Sequence, residues 1–185
     1  MKSIRISAAV LALTTALSSS LAFAENPMVG GAAMYEDKNI VENAVNSADH
    51  TTLVAAVTAA GLAETLMGAG PFTVFAPTNA AFANLPAGTV DTLLKPENKD
   101  TLAKILTCHV VGKAVMAEAL QGMIADDAGK HPVPTLGGCT LQASYEGDMI
   151  KLTDEMGNVA TVSVADVKQS NGVIHVIDTV MLPAM

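Results

Sequence analysis

Four histidines, His50, His109, His131 and His175, are the side chains of this chain best suited to metal binding or proton transfer. A zinc site needs three or four ligands that converge, and a pair of histidines close together on one helix is a common sign of it. No two of these histidines are three or four residues apart, and the chain has no Cys-x-x-Cys pair. The sequence therefore predicts neither a metal site nor a cofactor.

Ten methionines leave copper binding as an alternative, since thioether sulfur is a soft ligand that suits this metal. They are scattered singly along a chain that is 3% aromatic and has no tryptophan. Flexible methionine side chains fill core space where aromatic rings are scarce. We interpret the methionines as core residues.

Nucleophilic catalysis also lacks a recognisable motif. The chain has no Gly-x-Ser-x-Gly turn, no phosphate-binding glycine loop and no His-Glu-x-x-His helix. An acylating serine needs a histidine base within hydrogen-bond reach, and no spacing in the chain indicates such a pair. We predict that the protein is not an enzyme.

A predicted strand at Val173–Ile177 positions the polar residues near the C-terminus. It is apolar on both faces except for His175, as in a strand that is covered on both sides. An Asn171-Gly172 turn with positive φ and the later Pro183 delimit it. Alternation places His175 and Asp178 on opposite faces. Because buried polar groups are normally hydrogen-bonded, we interpret both as structural residues.

Helices are predicted mainly in the first two thirds of the chain. Apolar residues recur at helical spacing within 39–66, 89–94 and 96–106. Thr78 is expected to cap a short helix, and 113–127 is helical or loop-like.

Strands complete the predicted pattern. Phe72–Ala76 is a buried apolar run, 108–111 is a short strand, and 139–164 alternates as a meander with hairpin turns. Helices followed by a meander of strands predict an α+β fold.

Length and charge restrict the remaining possibilities. The chain of 185 residues is long enough for one domain with its own core and too short for two ordinary ones. Its formal net charge is −8 and its lysines are dispersed. Such a surface repels phosphate backbones, so we exclude nucleic acid as a partner.

Residues 1–24 have the pattern of a signal peptide. Lys2 and Arg5 precede the apolar run Ala8–Leu17, and Ala22-Phe23-Ala24 has the small-x-small form of a cleavage site. The apolar run is too short to span a bilayer and no later stretch is long enough. We expect an exported protein that is not an integral membrane protein.

Residues 25–36 form an N-terminal arm without apolar periodicity. We expect a leader without fixed structure. The alternative is that Met28, Met34 and Tyr35 pack onto the domain or onto a neighbouring copy.

Three stretches resemble, in order and spacing, the signature motifs of the fasciclin-type (FAS1) domain family. The first is Gly70–Phe82, in which a strand passes into a helix through Ala-Pro-Thr-Asn; the second is Cys108–Val111; the third is Asn171–Pro183. The resemblance covers roughly 37–185. It implies an α+β, wedge-shaped β-sandwich with helices packed on one side and edge, in a module of extracellular and cell-surface proteins.

The resemblance also implies structural roles for particular residues. In the family, the histidine that matches His109 is thought to connect the first and last motifs. We therefore expect His109 to reach Asn79 or Asp178. The whole structural signature is Thr78, Asn79, His109, His175 and Asp178.

A contact surface is implied in the same way. Asp166-Val167 stands where animal fasciclin domains carry an Asp-Ile motif proposed for integrin recognition. The signal peptide is of a bacterial kind, so we do not carry over the integrin itself. We predict that Asp166 and Val167, together with Val110 and Val111, contribute an exposed surface for a partner.

The two cysteines, Cys108 and Cys139, form an even pair in a chain that we expect to be exported to an oxidising compartment. Cys108 also departs from the family, which usually has tyrosine at this position. We predict a disulfide between them at the starts of two strands. The alternative is two buried free thiols that fill space and never meet.

The function predicted from the sequence is adhesion or matrix contact. An exported domain of this kind, in the periplasm, at the cell surface or secreted, would present a rigid surface to a cell-surface or matrix protein or glycan. A carrier or sensor of a small apolar ligand, held between helices and sandwich, is the alternative. The sequence leaves the oligomeric state open.

Export gives the first testable prediction. We expect the mature chain to begin at Glu25, because cleavage follows the small residue Ala24. Intact-mass measurement on protein from the native host checks this, and a retained Met1 would contradict it.

Overall fold

The structure is a computed structural model that describes residues 26–184. The predicted signal peptide at 1–24 lies outside the described residues. The helices are α1 (Ile40–Ala44), α2 (Thr51–Ala60), α3 (Ala63–Met67), α4 (Asn79–Ala83), α5 (Thr89–Leu93), α6 (Lys99–Thr107) and α7 (Ala117–Asp126), with 3-10 turns at Ala48–His50 and Pro96–Asn98.

Local signals set several of these helix limits. Asn39 and Glu42 form a capping box at the start of α1, in which each side chain accepts the other residue's backbone N–H at 2.9 Å. Gly61 ends α2 with a left-handed φ of 73°. Thr78 precedes α4, and its Oγ1 accepts the N–H of Ala81 at 3.3 Å.

The strands form a small hairpin and one large sheet. They are β1 (Met28–Val29), β2 (Ala32–Ala33), β3 (Phe72–Pro77), β4 (Val110–Val111), β5 (Lys130–Pro134), β6 (Thr140–Glu146), β7 (Met149–Thr153), β8 (Val159–Gln169) and β9 (Gly172–Ile177). β1 pairs with β2, and the other strands form a seven-stranded sheet in the order β4-β3-β9-β8-β7-β6-β5. Helices together with this sheet confirm the predicted α+β class.

β9 lies between β3 and β8, so the C-terminal strand is central as the sequence predicted. It runs parallel to β3 over its full length and antiparallel to β8. In β9, Ile174 and Val176 belong to the core that the helices cover, whereas Ile177 belongs to the core inside the sheet. In β3, Val74 and Phe75 are divided in the same way. Both strands are therefore buried on both faces.

The long strand β8 lets the sheet curl. Its pairing with β9 shifts between Val162 and Val164 and again between Val164 and Val167. Such bulges bend a strand and increase its local twist. The half sheet β4-β3-β9 and the half sheet β7-β6-β5 consequently contribute to one inner core, which α7 also joins.

The curl brings the two edge strands of the sheet, β4 and β5, close together. The loop after β5 donates two hydrogen bonds towards β4, from Leu136 N–H to Val110 O at 2.8 Å and from Gly137 N–H to Thr107 O at 3.0 Å. We call this line of approach the seam. Cys108 and Cys139 are paired as a disulfide at this end of the seam, with their Cα atoms 5.4 Å apart.

The N-terminal arm differs from the expected leader without fixed structure. Residues 26–36 include the β1–β2 hairpin, and Val29 and Met34 are buried in the core under the helices. Met28 and Tyr35 stay exposed, so only one of the three residues proposed in the alternative is buried. The arm is held by the buried side chains of Val29 and Met34 and by backbone hydrogen bonds, such as the one from Ala48 N–H to Gly30 O at 3.1 Å.

Two local expectations were wrong. The strand predicted at 108–111 contains only Val110 and Val111, because Cys108 still ends α6. The turn before β9 needs no positive φ at Asn171 or Gly172. Gly172 is required for another reason: a Cβ there would collide with the backbone oxygen of Phe72.

Removing the disulfide tests how much the cross-link at the seam contributes to the stability of the fold. We expect the double variant Cys108→Ala/Cys139→Ala to unfold at lower urea, because the pair closes a segment with a sequence separation of 31 residues. The chain-entropy model gives a loss of roughly 3 to 4 kcal/mol. Thiol titration of denatured, unreduced protein should find no free thiol, and two free thiols would contradict the pairing.

Candidate functional site

His109 lies at the junction between α6 and β4 and is 2% exposed. Its Nδ1 is 2.8 Å from Ile105 O, and its Nε2 is 2.9 Å from the backbone N of Met181. A carbonyl can only accept and a backbone N–H can only donate. The ring is therefore neutral, with its proton on Nδ1.

The expected partners of His109 were wrong. The ring reaches the last motif at Met181 rather than at Asp178, and it does not bond to Asn79. The reason is that the chain turns after β9, which brings the backbone of Met181 rather than a side chain over the imidazole. The histidine still connects the α6–β4 junction to the C-terminal segment.

His175, in the centre of β9, is also a neutral imidazole but has the opposite tautomer. Its Nε2 donates to Val115 O at 2.8 Å, and its Nδ1 accepts the N–H of Asp166 at 3.2 Å. The ring is stacked on Phe75, with ring centroids 5.7 Å apart. Both nitrogens are used, so His175 has no free lone pair for a metal or a proton-transfer step.

Burial disfavours the charged form of these rings. Desolvation lowers the pKa of His109 to about 4, although the Ile105 carbonyl and the charge of Asp154 act in the opposite direction. Desolvation likewise lowers the pKa of His175, against the Val115 carbonyl and Asp166. A general base needs an accessible nitrogen, and both nitrogens of each ring are buried and already hydrogen-bonded.

Asn79, in the first motif, connects α4 to the start of α2. Its Oδ1 accepts from the N–H of Thr52 at 2.9 Å and the hydroxyl of Thr51 at 3.2 Å. Its Nδ2 donates to Ala48 O at 2.8 Å. All of these partners lie within the domain.

Asp178 has a similar internal role at the end of β9. Its Oδ1 accepts the N–H of Thr161 at 2.7 Å, and its own N–H donates to Thr161 O at 3.2 Å. It therefore fixes the end of β9 against β8.

The predicted partner-binding residues do not form a surface. Val167 is fully buried, and Val110 and Val111 are 4% and 5% exposed. The side chain of Asp166 accepts the N–H of Ala117 at 2.7 Å, where α7 begins. The prediction was wrong because the bulges in β8 turn Val167 into the core and Asp166 towards α7.

Sequence reasoning missed the long-range contacts of several buried or half-buried polar residues, among them Asn43, Asp154 and Asn171. Asn43 is fully buried and bonds to the backbone of Tyr35 and to Gln169. Asp154 accepts the N–H of Leu182 at 2.7 Å, and Asn171 donates to Leu66 O at 2.7 Å. A polar residue within an apolar pattern, such as Asn43, indicates that a buried hydrogen bond is present. The pattern does not show which distant residue is the partner.

Metal ligation finds no support in the described part of the chain. Within residues 26–184 no three His, Cys, Asp or Glu side chains are grouped so that they could hold an ion. In the same range no helix has the length and apolar character needed to cross a bilayer.

The described surface does contain an open cleft of about 550 Å3 beside the starts of β3 and β9. Apolar atoms of Pro71 and Met116 line it together with polar groups of Glu36, Lys168 and Ser170. We call it the strand-start cleft.

Comparison with known proteins identifies the fold family. The model of the Fasciclin domain family matches residues 48–183. Protein sll1483 from Synechocystis is 48% identical over 173 residues, which cover 93% of this chain and 88% of that protein. Immunogenic protein MPB70 from Mycobacterium bovis is 37% identical over 145 residues, which cover 76% of this chain and 66% of that protein.

A solved structure supports the same fold. A FAS1 domain pair from the insect cell adhesion molecule Fasciclin I superimposes with a TM-score of 0.53 at 22% identity. The match covers 68% of this chain and 42% of the other. At this identity the likeness concerns the fold alone.

The buried histidine predicts a pH dependence of stability. The pKa of His109 falls from 6.5 to about 4 on folding, so the unfolded chain binds this proton more tightly. The free energy of unfolding should therefore decrease as the pH falls through this interval, by about 3 kcal/mol from His109. Urea unfolding at several pH values measures the slope.

The variant His109→Ala should lack the contribution of His109 to the pH dependence of the free energy of unfolding. It should also cost a few kcal/mol at neutral pH, because Ile105 O and Met181 N–H lose their partner. His109→Gln, which keeps a donor and an acceptor, is the milder variant. A wild-type melting temperature and slope in both variants would contradict the structural role.

Proposed function

The chain belongs to the fasciclin domain family, and on that premise we propose that it is an exported, non-catalytic interaction domain. It contacts a protein or glycan at the cell surface or outside the cell. The N-terminal 24 residues direct export, and the remainder acts as a rigid binding module.

The observation that carries this proposal is the internal use of the motif side chains. His109 and His175 bond through both ring nitrogens to backbone groups, and Asn79 bonds to the start of α2. Groups that are buried and satisfied in this way hold a scaffold together. The partner is then recognised by the shape and polarity of the surface.

The strand-start cleft is the surface that we assign to the partner. Apolar Pro71 and Met116 lie beside charged Glu36 and Lys168, which is the mixture that partly polar interfaces have. Gly70 and Gly172, where a Cβ would collide with the backbone of the neighbouring segment, also line the cleft. Its base is therefore closely packed, and a pre-organised surface loses less entropy on binding.

The alternative function, a carrier with its ligand between helices and sheet, has less support where α1, α2 and α3 cover the sheet. The cavity lined by Val41, Val57 and Leu66 of the helices and by Val74 of β3 is about 40 Å3. Sites for drug-sized ligands are typically about 300 Å3 or more.

A pull-down with matched tryptophan variants tests the proposal. The mature domain is immobilised and exposed to the cell-envelope fraction of the producing organism, and retained proteins and glycans are quantified. Ala114→Trp places an indole in the cleft and should weaken retention about tenfold or more, that is by about 1.4 kcal/mol. Ala59→Trp is the control, because Ala59 is exposed on α2 and lies outside the cleft.

The two parts of the proposal fail separately. If no envelope component is retained above an empty support, the domain is not an interaction module of this kind. If a component is retained equally by both variants and the wild type, the module binds its partner elsewhere.

A further inference from the structure

A second, separate cavity of about 190 Å3 opens at the seam between β4 and β5. We call it the seam cavity. It lies inside the curled sheet beneath α7, and its lining includes Phe75, Val111, Leu120, Met123, Val133 and His175. It shares no lining residue with the strand-start cleft.

The sequence keeps this opening from closing. β5 carries Pro132 and Pro134, and proline has no N–H to donate to a neighbouring strand. β4 has only two residues, and the hydrogen bonds across the seam come from the loop at 136–137 rather than from β5. A continuous ladder between the edge strands is therefore excluded. The disulfide holds the edges together at one end only.

The floor of the seam cavity is aromatic and electrically neutral. Phe75 and His175 are 2% and 1% exposed, and their rings are stacked at an interplanar angle of 26°. The polar atoms of the floor already have partners. Thr73 Oγ1 donates to Lys113 O at 2.6 Å and accepts Val115 N–H at 2.8 Å, and both nitrogens of His175 are bonded. The two rings are almost fully covered, so the accessible apolar lining is supplied by the half-buried Val115 and Met123 and the exposed Pro134.

Two basic residues, Lys113 and His131, line the mouth. Lys113 is exposed and lines the cavity. His131, also in the lining, bonds through Nδ1 to the carboxylate of Asp127 at 2.6 Å. Lys113 is exposed, so its ammonium group stays in water and the apolar interior gives the charge of an ionic ligand no buried partner.

We propose that the seam cavity binds a neutral, single-ring aromatic molecule, with its ring among the side chains of Val115, Met123 and Pro134. The thioether of Met123 favours an aromatic ligand, because sulfur makes favourable contacts with aromatic rings. The size agrees, because an apolar cavity of about 150 Å3 accommodates benzene. The 190 Å3 present here leaves room for a ring with a small substituent.

Nitrogen-15 NMR titration with p-cresol tests the proposal. We expect saturable shifts that are confined to residues lining the seam cavity. Sodium benzoate, a charged ring of similar size, should bind at least about tenfold more weakly, since a charge enters apolar surroundings at a cost.

Two filling variants and a control complete the experiment. Val115→Phe and Met123→Trp enlarge half-buried side chains of the lining and should each reduce p-cresol affinity at least about tenfold, a change of about 1.4 kcal/mol. Val159→Phe adds the same ring at an exposed position outside the lining and should leave affinity unchanged. Both filling variants are first checked for native dispersion of amide signals.

Three results would overturn the proposal. These are the absence of saturable shifts in the wild type, shifts outside the lining residues, and p-cresol affinity that a folded filling variant retains.

Discussion

The fold depends on the parallel pairing of β3 with β9. The six residue pairs run from Phe72 with Gly172 to Pro77 with Ile177, and they place the C-terminal strand at the centre of the sheet. The two strands approach so closely at their starts that a Cβ at Gly172 would collide with Phe72 O, and one at Gly70 with Asn171 O. Parallel neighbours need a long crossover, and here the crossover is most of the domain. The chain between them must fold before the sheet is complete.

Polar side chains secure the middle of β9 and the segment that follows it. His109 holds the segment after β9 through Met181, and Asp154 holds it through Leu182. His175 fixes the middle of β9 to Val115 and Asp166. The two histidines are neutral because each has one donating and one accepting backbone partner. This use of the motif residues leaves no free nitrogen on the imidazole of either His109 or His175.

Much of this fold could be predicted from local sequence. The apolar runs of β3 and β9, the end of α2 at Gly61 and the start of α4 after Thr78 depend on neighbouring residues only. The partners of His109 could not be found in this way, because they depend on where the chain turns after β9. Val167 was placed at the surface by the family resemblance alone, and this was wrong because bulges in β8 turn Val167 into the core. The strand-start cleft and the seam cavity result from packing between distant elements, so no local sequence pattern indicates them.

The central claim is that the motif histidines are neutral structural groups. Nitrogen-15 NMR of the imidazole side chains across a pH titration tests it most directly, because it reports the tautomer and protonation of each ring. The structure predicts a proton on Nδ1 of His109 and on Nε2 of His175 at neutral pH. Burial should keep the pKa of both rings below 6.5. Rings that exchange between tautomers and titrate with the pKa of free histidine would contradict the account.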